Sequence, residues 1–299
     1  MRQLFLEDTN GSLKMITSSQ VNPLLNMYVS FNFSKLRLSL LYLPLVLLAS
    51  IFGYLFIEDA LKAESYIEIQ QEYFFFLNSV LSSYPNLQYN LTETGNTLVV
   101  VSFLSIFILH APKMWESLAS ALLVSCLFSR VLKKVFAVPR PAAFFDNDSF
   151  VIIGRTLTGH NSLPSGHSIT IFTALSIIMF AFMPSKFKNK MVWCTFFVLT
   201  GLILVFTRVA VGAHYPIDVV IGGIFGYISA LAGIFISQKY SIWKWINHKR
   251  YYPVFIIGFA ICWFPLAAKV LSENLVIFYL SLFSLTVSLI KITAAYVKR

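Results

Sequence analysis

The residues able to do chemistry fall into three short clusters. Lys133 precedes Arg140-Pro141, Pro164-Ser165-Gly166-His167 opens an apolar run, and Arg208, His214 and Asp218 lie around the junction of two further apolar runs. Ionisable residues at helix ends in an apolar chain are costly, and they mark function by default. Lys133, Arg140 and Arg208 are cations that would repel a metal ion. They suit the oxygens of a phosphate, Arg through forked hydrogen bonds and Lys as a point charge. Ser165 has the position of a helix N-cap and Gly166 leaves room for close approach. The free N–H groups and dipole of that helix start would reinforce an anion site.

Phosphoryl transfer also needs an attacking group, a proton donor for the leaving group and charge stabilisation. His214 is followed by Tyr215 and Pro216, with Pro216 suited to a first helical turn and Asp218 one turn further in. That spacing lets the carboxylate accept from the imidazole and frees the other ring nitrogen to attack phosphorus. His167 is then the proton donor. A two-histidine, one-carboxylate metal site is the competing arrangement, and the adjacent cations disfavour it, so neither metal nor cofactor is expected. His110, His160 and His248 read as surface or snorkelling residues, His160 being nearest the motif. Arg130 and Lys134 suit snorkelling, and Arg155 suits phosphate or the bilayer surface.

The elements that must position these groups are membrane helices. Of 299 residues, 57% are hydrophobic and 12% charged, against about 25% charged in ordinary globular chains; mean hydropathy is +0.73. Apolar segments near 38–57, 96–111, 114–136, 165–183, 190–211, 216–237, 253–270 and 274–292 predict an all-α polytopic helical bundle of about eight helices. The second is the weakest, closed quickly by His110, Pro112 and Lys113. No repeat or linker divides the chain. The first 37 residues lack the pattern of a cleaved signal peptide, so uncleaved insertion is expected. Cys126, Cys194 and Cys262 fall inside apolar runs, which argues against a disulfide framework or a zinc site. The net charge of +10 comes without a basic helix or stacking-aromatic module, so no nucleic-acid partner is expected.

Alternating spans explain that charge better. One side receives Arg2, Lys14, Lys35, Arg37, Lys113, Lys186, Lys188, Lys190, Lys239, Lys244, Lys249, Arg250, Lys298 and Arg299. The other receives Glu58, Asp59, Glu64, Glu68, Glu72, Glu93, Asp146 and Asp148. The positive-inside rule makes the first side cytoplasmic and puts all three clusters on the opposite face. Two segments are read as interfacial: Tyr73-Phe74-Phe75-Phe76-Leu77, which either flanks a lipid entry route or packs on neighbouring helices, and the stretch from Leu24 to Phe33.

The clusters resemble the signature of the type-2 phosphatidic acid phosphatase superfamily, which also includes glucose-6-phosphatases and vanadium haloperoxidases. Lys133 and Arg140-Pro141 match its first motif, Pro164-Ser165-Gly166-His167 its second, and Arg208, His214 and Asp218 its third. The family usually has Ser where this chain has Thr207, which keeps the hydroxyl. The resemblance implies that Lys133, Arg140, Ser165, Gly166 and Arg208 bind phosphate, His214 forms a phosphohistidine, Asp218 orients it and His167 protonates the leaving group. It implies a six-helix phosphatase core over 38–237; the charge rule puts the N-terminal segment 1–37 on the cytoplasmic side, and the last two apolar segments make a C-terminal helical hairpin over 238–299, outside that core. Membrane members similar to this chain act on phosphatidate, phosphatidylglycerol phosphate, undecaprenyl diphosphate or lipid A phosphates. The orientation rule puts the site outside the cytoplasm, facing the periplasm from a bacterial inner membrane or a lumen in a eukaryote, the bacterial placement being the one expected. A lipid phosphotransferase using the same residues and a non-catalytic anion-binding protein stay open as alternatives.

Overall fold

The computed structural model describes residues 5–7, 13–15 and 18–298, with side chains over 24–298. The side chains of Arg2, Lys14 and Arg299, counted above on the basic side, lie outside the described residues. Two three-residue strands, β1 (Phe5–Glu7) and β2 (Leu13–Met15), pair antiparallel ahead of the helices. Then come α1 (Ser18–Ser34), α2 (Tyr42–Ile57), the short α3 (Ala63–Glu68), α4 (Gln71–Leu81) and α5 (Pro85–Thr92), and α6 (Thr97–Leu104). The remainder are α7 (Pro112–Phe136), α8 (Pro141–Phe144), α9 (Gly166–Ala181), α10 (Phe187–Ala210), α11 (Pro216–Tyr240), α12 (Tyr252–Glu273) and α13 (Val276–Val297).

Among the described residues, five helical stretches are long and apolar enough to cross a membrane: Leu38–Ile57, Phe187–Ala210, Pro216–Tyr240, Lys249–Glu273 and Val276–Val297. The chain is a multi-pass helical membrane protein. The expected second span at 96–111 is shorter than the others, built from α6 and the 3-10 turn Ser105–Phe107, and it runs from Gly95 beside His167 to Lys113, whose ammonium donates to Ser237 O near the opposite end of α11. Asn96 starts α6 by accepting from Leu98 N at 3.0 Å, and Pro112 starts the next helix. Helix α7 is long enough at 25 residues, but it carries charges near both ends.

Helix α11 is the axis of the bundle, with 56% of its apolar window buried against 11% for the lipid-facing stretch containing α2. Close backbone approach explains that position. A Cβ on Gly226 would lie 2.4 Å from the carbonyl oxygen of Ile169 on α9, and one on Gly233 would lie 2.4 Å from the amide nitrogen of Ala121 on α7. Small residues on one helix face permit such contacts between membrane helices.

The two segments read as interfacial are tied into the bundle. On α4, Phe74 is fully buried, packed edge-on to Tyr215, while Tyr73 and Phe76 stay exposed. On α1, Val29 and Phe33 are buried, and Asn32 donates to the carbonyls of Ala181 and Met183 at the end of α9. The hairpin of α12 and α13 docks on α5 and α6. Ser105 donates to Ser288 at 2.7 Å, Ser284 donates to Ser102 O at 3.0 Å and Ile277 N donates to Asn90 at 3.1 Å.

Candidate active site

The first cluster is set by the way α7 ends. Ala137 adopts a left-handed conformation, φ 45°, and its N–H donates to Lys133 O at 3.1 Å. A non-glycine residue pays about 1–2 kcal/mol for that geometry, and the chain turns there to bring Arg140 back toward Lys133. Arg140 is buried. Its Nε donates to Asn161 at 2.7 Å and its Nη1 to Ala213 O at 3.2 Å, which fixes the guanidinium plane.

Ser165 caps α9 with extended backbone, and its Oγ accepts from Ser168 N at 3.4 Å. Its own N–H donates to Asp218 O at 3.1 Å, joining the starts of α9 and α11. A Cβ on Gly166 would lie 3.7 Å from Lys133 Nζ, so the ammonium stands over the start of α9. His167 packs so tightly on Gly95 that a Cβ there would fall 2.7 Å from its own Cβ. Its Nε2 is buried without a hydrogen-bond partner among the described residues, as is Nε of Arg208. Arg208 is anchored instead through Nη1, which donates to Thr92 at 2.9 Å.

His214 and Asp218 are both buried, with Pro216 at the first turn between them. Their direct separation, Nδ1 to Oδ2, is 3.4 Å, longer than an ordinary hydrogen bond. Ser162 stands between them: its hydroxyl donates to Asp218 Oδ2 at 2.5 Å and lies 3.3 Å from His214 Nδ1. The hydroxyl proton is committed to the carboxylate, so its lone pair accepts Nδ1–H. Nε2 is left unprotonated, 3.3 Å from Arg140 Nη1. Asp218 also accepts from Tyr66 at 2.7 Å and from Tyr215 N at 3.0 Å. Burial and the charge of Asp218 raise the Tyr66 phenol well above its usual range, so it remains a donor.

Burial is the main force on the His214 imidazole, followed by the charges of Arg140, Arg208 and Lys133 and by His167, and together they hold it well below its usual 6.5. The ring is therefore neutral near pH 7, and its unprotonated Nε2 accepts from Arg140 Nη1 at 3.3 Å. The structure brings Lys133, Arg140, Ser165, Gly166, His167, Arg208, His214 and Asp218 to one end of the bundle. His160 is not drawn into the contacts described here, whereas its neighbours Asn161 and Ser162 are. Ser162, Tyr66, Thr92 and Gly95 are supporting residues that the sequence reading missed. The only signal was a polar run, His160-Asn161-Ser162, just before Pro164.

A polytopic helical bundle with buried cations around a neutral histidine defines a membrane protein with a cationic pocket at one end. Residues 115–243 match the model of the PAP2 superfamily, a stretch that contains all eight of those residues. Over that segment, 129 of the 299 residues, the chain is similar to that superfamily. Over 145 residues the chain is 31% identical to a lipid A 1-phosphatase of Rhizobium etli, covering 46% of this chain and 58% of the relative. Over 118 residues it is 33% identical to a lipid A 1-phosphatase of Rhizobium johnstonii, covering 38% and 44%. The chain thus spans about half the length of the curated relatives it matches. The crystal structure of Aquifex aeolicus LpxE aligns with a TM-score of 0.47 at 21% identity, covering 56% of this chain and 95% of that one.

Proposed function

We propose that this protein is an integral membrane lipid phosphatase that works through a phosphohistidine without a metal ion. The observation that carries the reading is the polarity of His214: Nδ1 is tied through Ser162 to Asp218, and the unprotonated Nε2 accepts from Arg140, a donor that a bound phosphate would draw to its own oxygens. Lys133, Arg140, Arg208 and the start of α9 receive the phosphate. Nε2 then attacks phosphorus as the ester P–O bond breaks, and the departing oxygen takes a proton from the imidazolium of His167, which the bound phosphate dianion sustains among the cations. The phosphorylated ring carries a positive charge that Asp218 offsets through Ser162. In the second step His167 accepts a proton from water as the water oxygen attacks phosphorus, the P–N bond breaks and inorganic phosphate leaves. Each role rests on geometry and proton count.

The similarity to lipid A 1-phosphatases supports a lipid phosphate as substrate. The charge asymmetry supports an inner-membrane protein whose site faces the periplasm. The test is phosphate release from a panel of lipid phosphates by purified full-length protein, with excess chelator and with His214→Ala. Release that persists in chelator and disappears in the variant is expected. Turnover by His214→Ala, or loss of activity in chelator with recovery on adding a divalent ion, would refute the mechanism.

A further inference from the structure

The C-terminal hairpin lies outside the matched segment, yet it reaches the site. A cavity of about 210 Å³ is walled on one side by His167 and Arg208 and on the other by Lys269 and Glu273 of α12, with Tyr89 and Glu93 between. Lys269 is held by Glu273 at 2.9 Å and lies 3.6 Å from Glu93. Glu273 also accepts from Tyr89 at 3.0 Å and stands 3.7 Å from Arg155. On the α12 side Glu93 and Glu273 face Lys269 and Arg155, so that side of the cavity is neutral and its charges are already paired. That distinguishes it from the phosphate site, where cations predominate and Arg208 Nε has no hydrogen-bond partner among the described residues.

We propose that this cavity is the leaving-group pocket, completed by the hairpin, and that its paired lining selects phosphate monoesters with an uncharged leaving group over diphosphates. The inference rests on the phosphatase reading, in which His167 protonates the departing oxygen; the departing group must then lie on the side of His167. An uncharged, hydroxyl-bearing group meets carboxylate acceptors there. A diphosphate would put its second phosphate against Glu93 and Glu273, where the nearby Lys269 is already committed. Unpaired like charges in a partly desolvated site are repelled strongly.

Farnesyl phosphate and farnesyl diphosphate form a matched pair of probes, differing only in that second phosphate. Initial rates of phosphate release by the full-length protein in lipid nanodiscs give kcat/KM for each. The wild type is expected to favour the monophosphate by about tenfold or more, a difference of about 1.4 kcal/mol. Combining Glu93→Gln with Glu273→Gln should move the ratio toward the diphosphate by a similar factor, whatever the absolute rates. Lys269→Met exposes both carboxylates and should move it the opposite way, so the claim is still tested if the first variant does not fold. Equal wild-type rates on the two probes, or ratios unchanged in the folded variants, overturn the pocket assignment and leave the phosphatase reading intact. No release from either probe or from any lipid phosphate overturns both.

Discussion

Ser162→Ala tests the relay behind the nucleophile. The substitution removes the donor 2.5 Å from Asp218 Oδ2 and the acceptor 3.3 Å from His214 Nδ1, and it leaves the phosphate-facing cations untouched. A hydrogen bond to a charged group contributes about 1.5–3 kcal/mol, or about 10- to 150-fold in rate when it acts only in the transition state. Two features pull the expected loss toward the lower end. Asp218 keeps Tyr66 and Tyr215 N as donors, and its 3.4 Å separation from His214 can shorten to a direct hydrogen bond. We expect kcat on a lipid phosphate to fall about 10- to 30-fold with KM within about threefold, since Ser162 does not touch the phosphate site. Steady-state phosphate release in detergent micelles measures both. A kcat within twofold of wild type, or a loss confined to KM, would refute the relay.

The remaining predictions concern the two histidines. His167→Ala should slow release from an alkyl phosphate by about 10²–10⁴-fold, the usual contribution of a general acid. It should slow 4-nitrophenyl phosphate far less, because nitrophenolate departs without a proton; equal losses on the two substrates would remove His167 from the acid role. His214 is held neutral below the ordinary imidazole range, so its acylation by diethyl pyrocarbonate should stay at its plateau down to pH 6. Mass spectrometry of the modified peptide follows that reaction, and a midpoint near 6.5 would contradict the burial argument. The sign for stability follows: the unfolded chain takes up this proton as pH falls through about 6.5 and the folded one does not. His214 therefore lowers stability on the acid side, and wild type should lose more stability than His214→Gln between pH 7 and 5.

The motif residues were legible because each cluster sits at a helix end within a few residues of its partners, where an N-cap, a proline at the first turn and a cation at the last leave local marks. Ser165, Pro216 and Lys133 are of that kind. The supporting residues were not legible, because Tyr66, Thr92 and Gly95 come from a segment whose only visible pattern was acidic and aromatic. Their contacts cross more than a hundred positions in the case of Tyr66 and Thr92. A tyrosine serving a distant buried carboxylate looks in sequence like any interfacial tyrosine. Helix length was partly legible. The run over 96–111 reads as a span, and Asn96 and Pro112 confine it to a short one.

Asn78 shows what this outer segment does for the bundle. Its side-chain amide donates to the carbonyls of Val209 and Ala210 at the end of α10 and to Val151 O, while its oxygen accepts from Val151 N. Two turns earlier, Gln70 accepts from Ile217 N at the start of α11 at 3.0 Å. Together these amides bridge the two ends of the turn that presents His214, much as a keystone holds both sides of an arch. Helices α7 to α11 transplanted without residues 63–95 would keep every reacting side chain and lose the brace that aligns them.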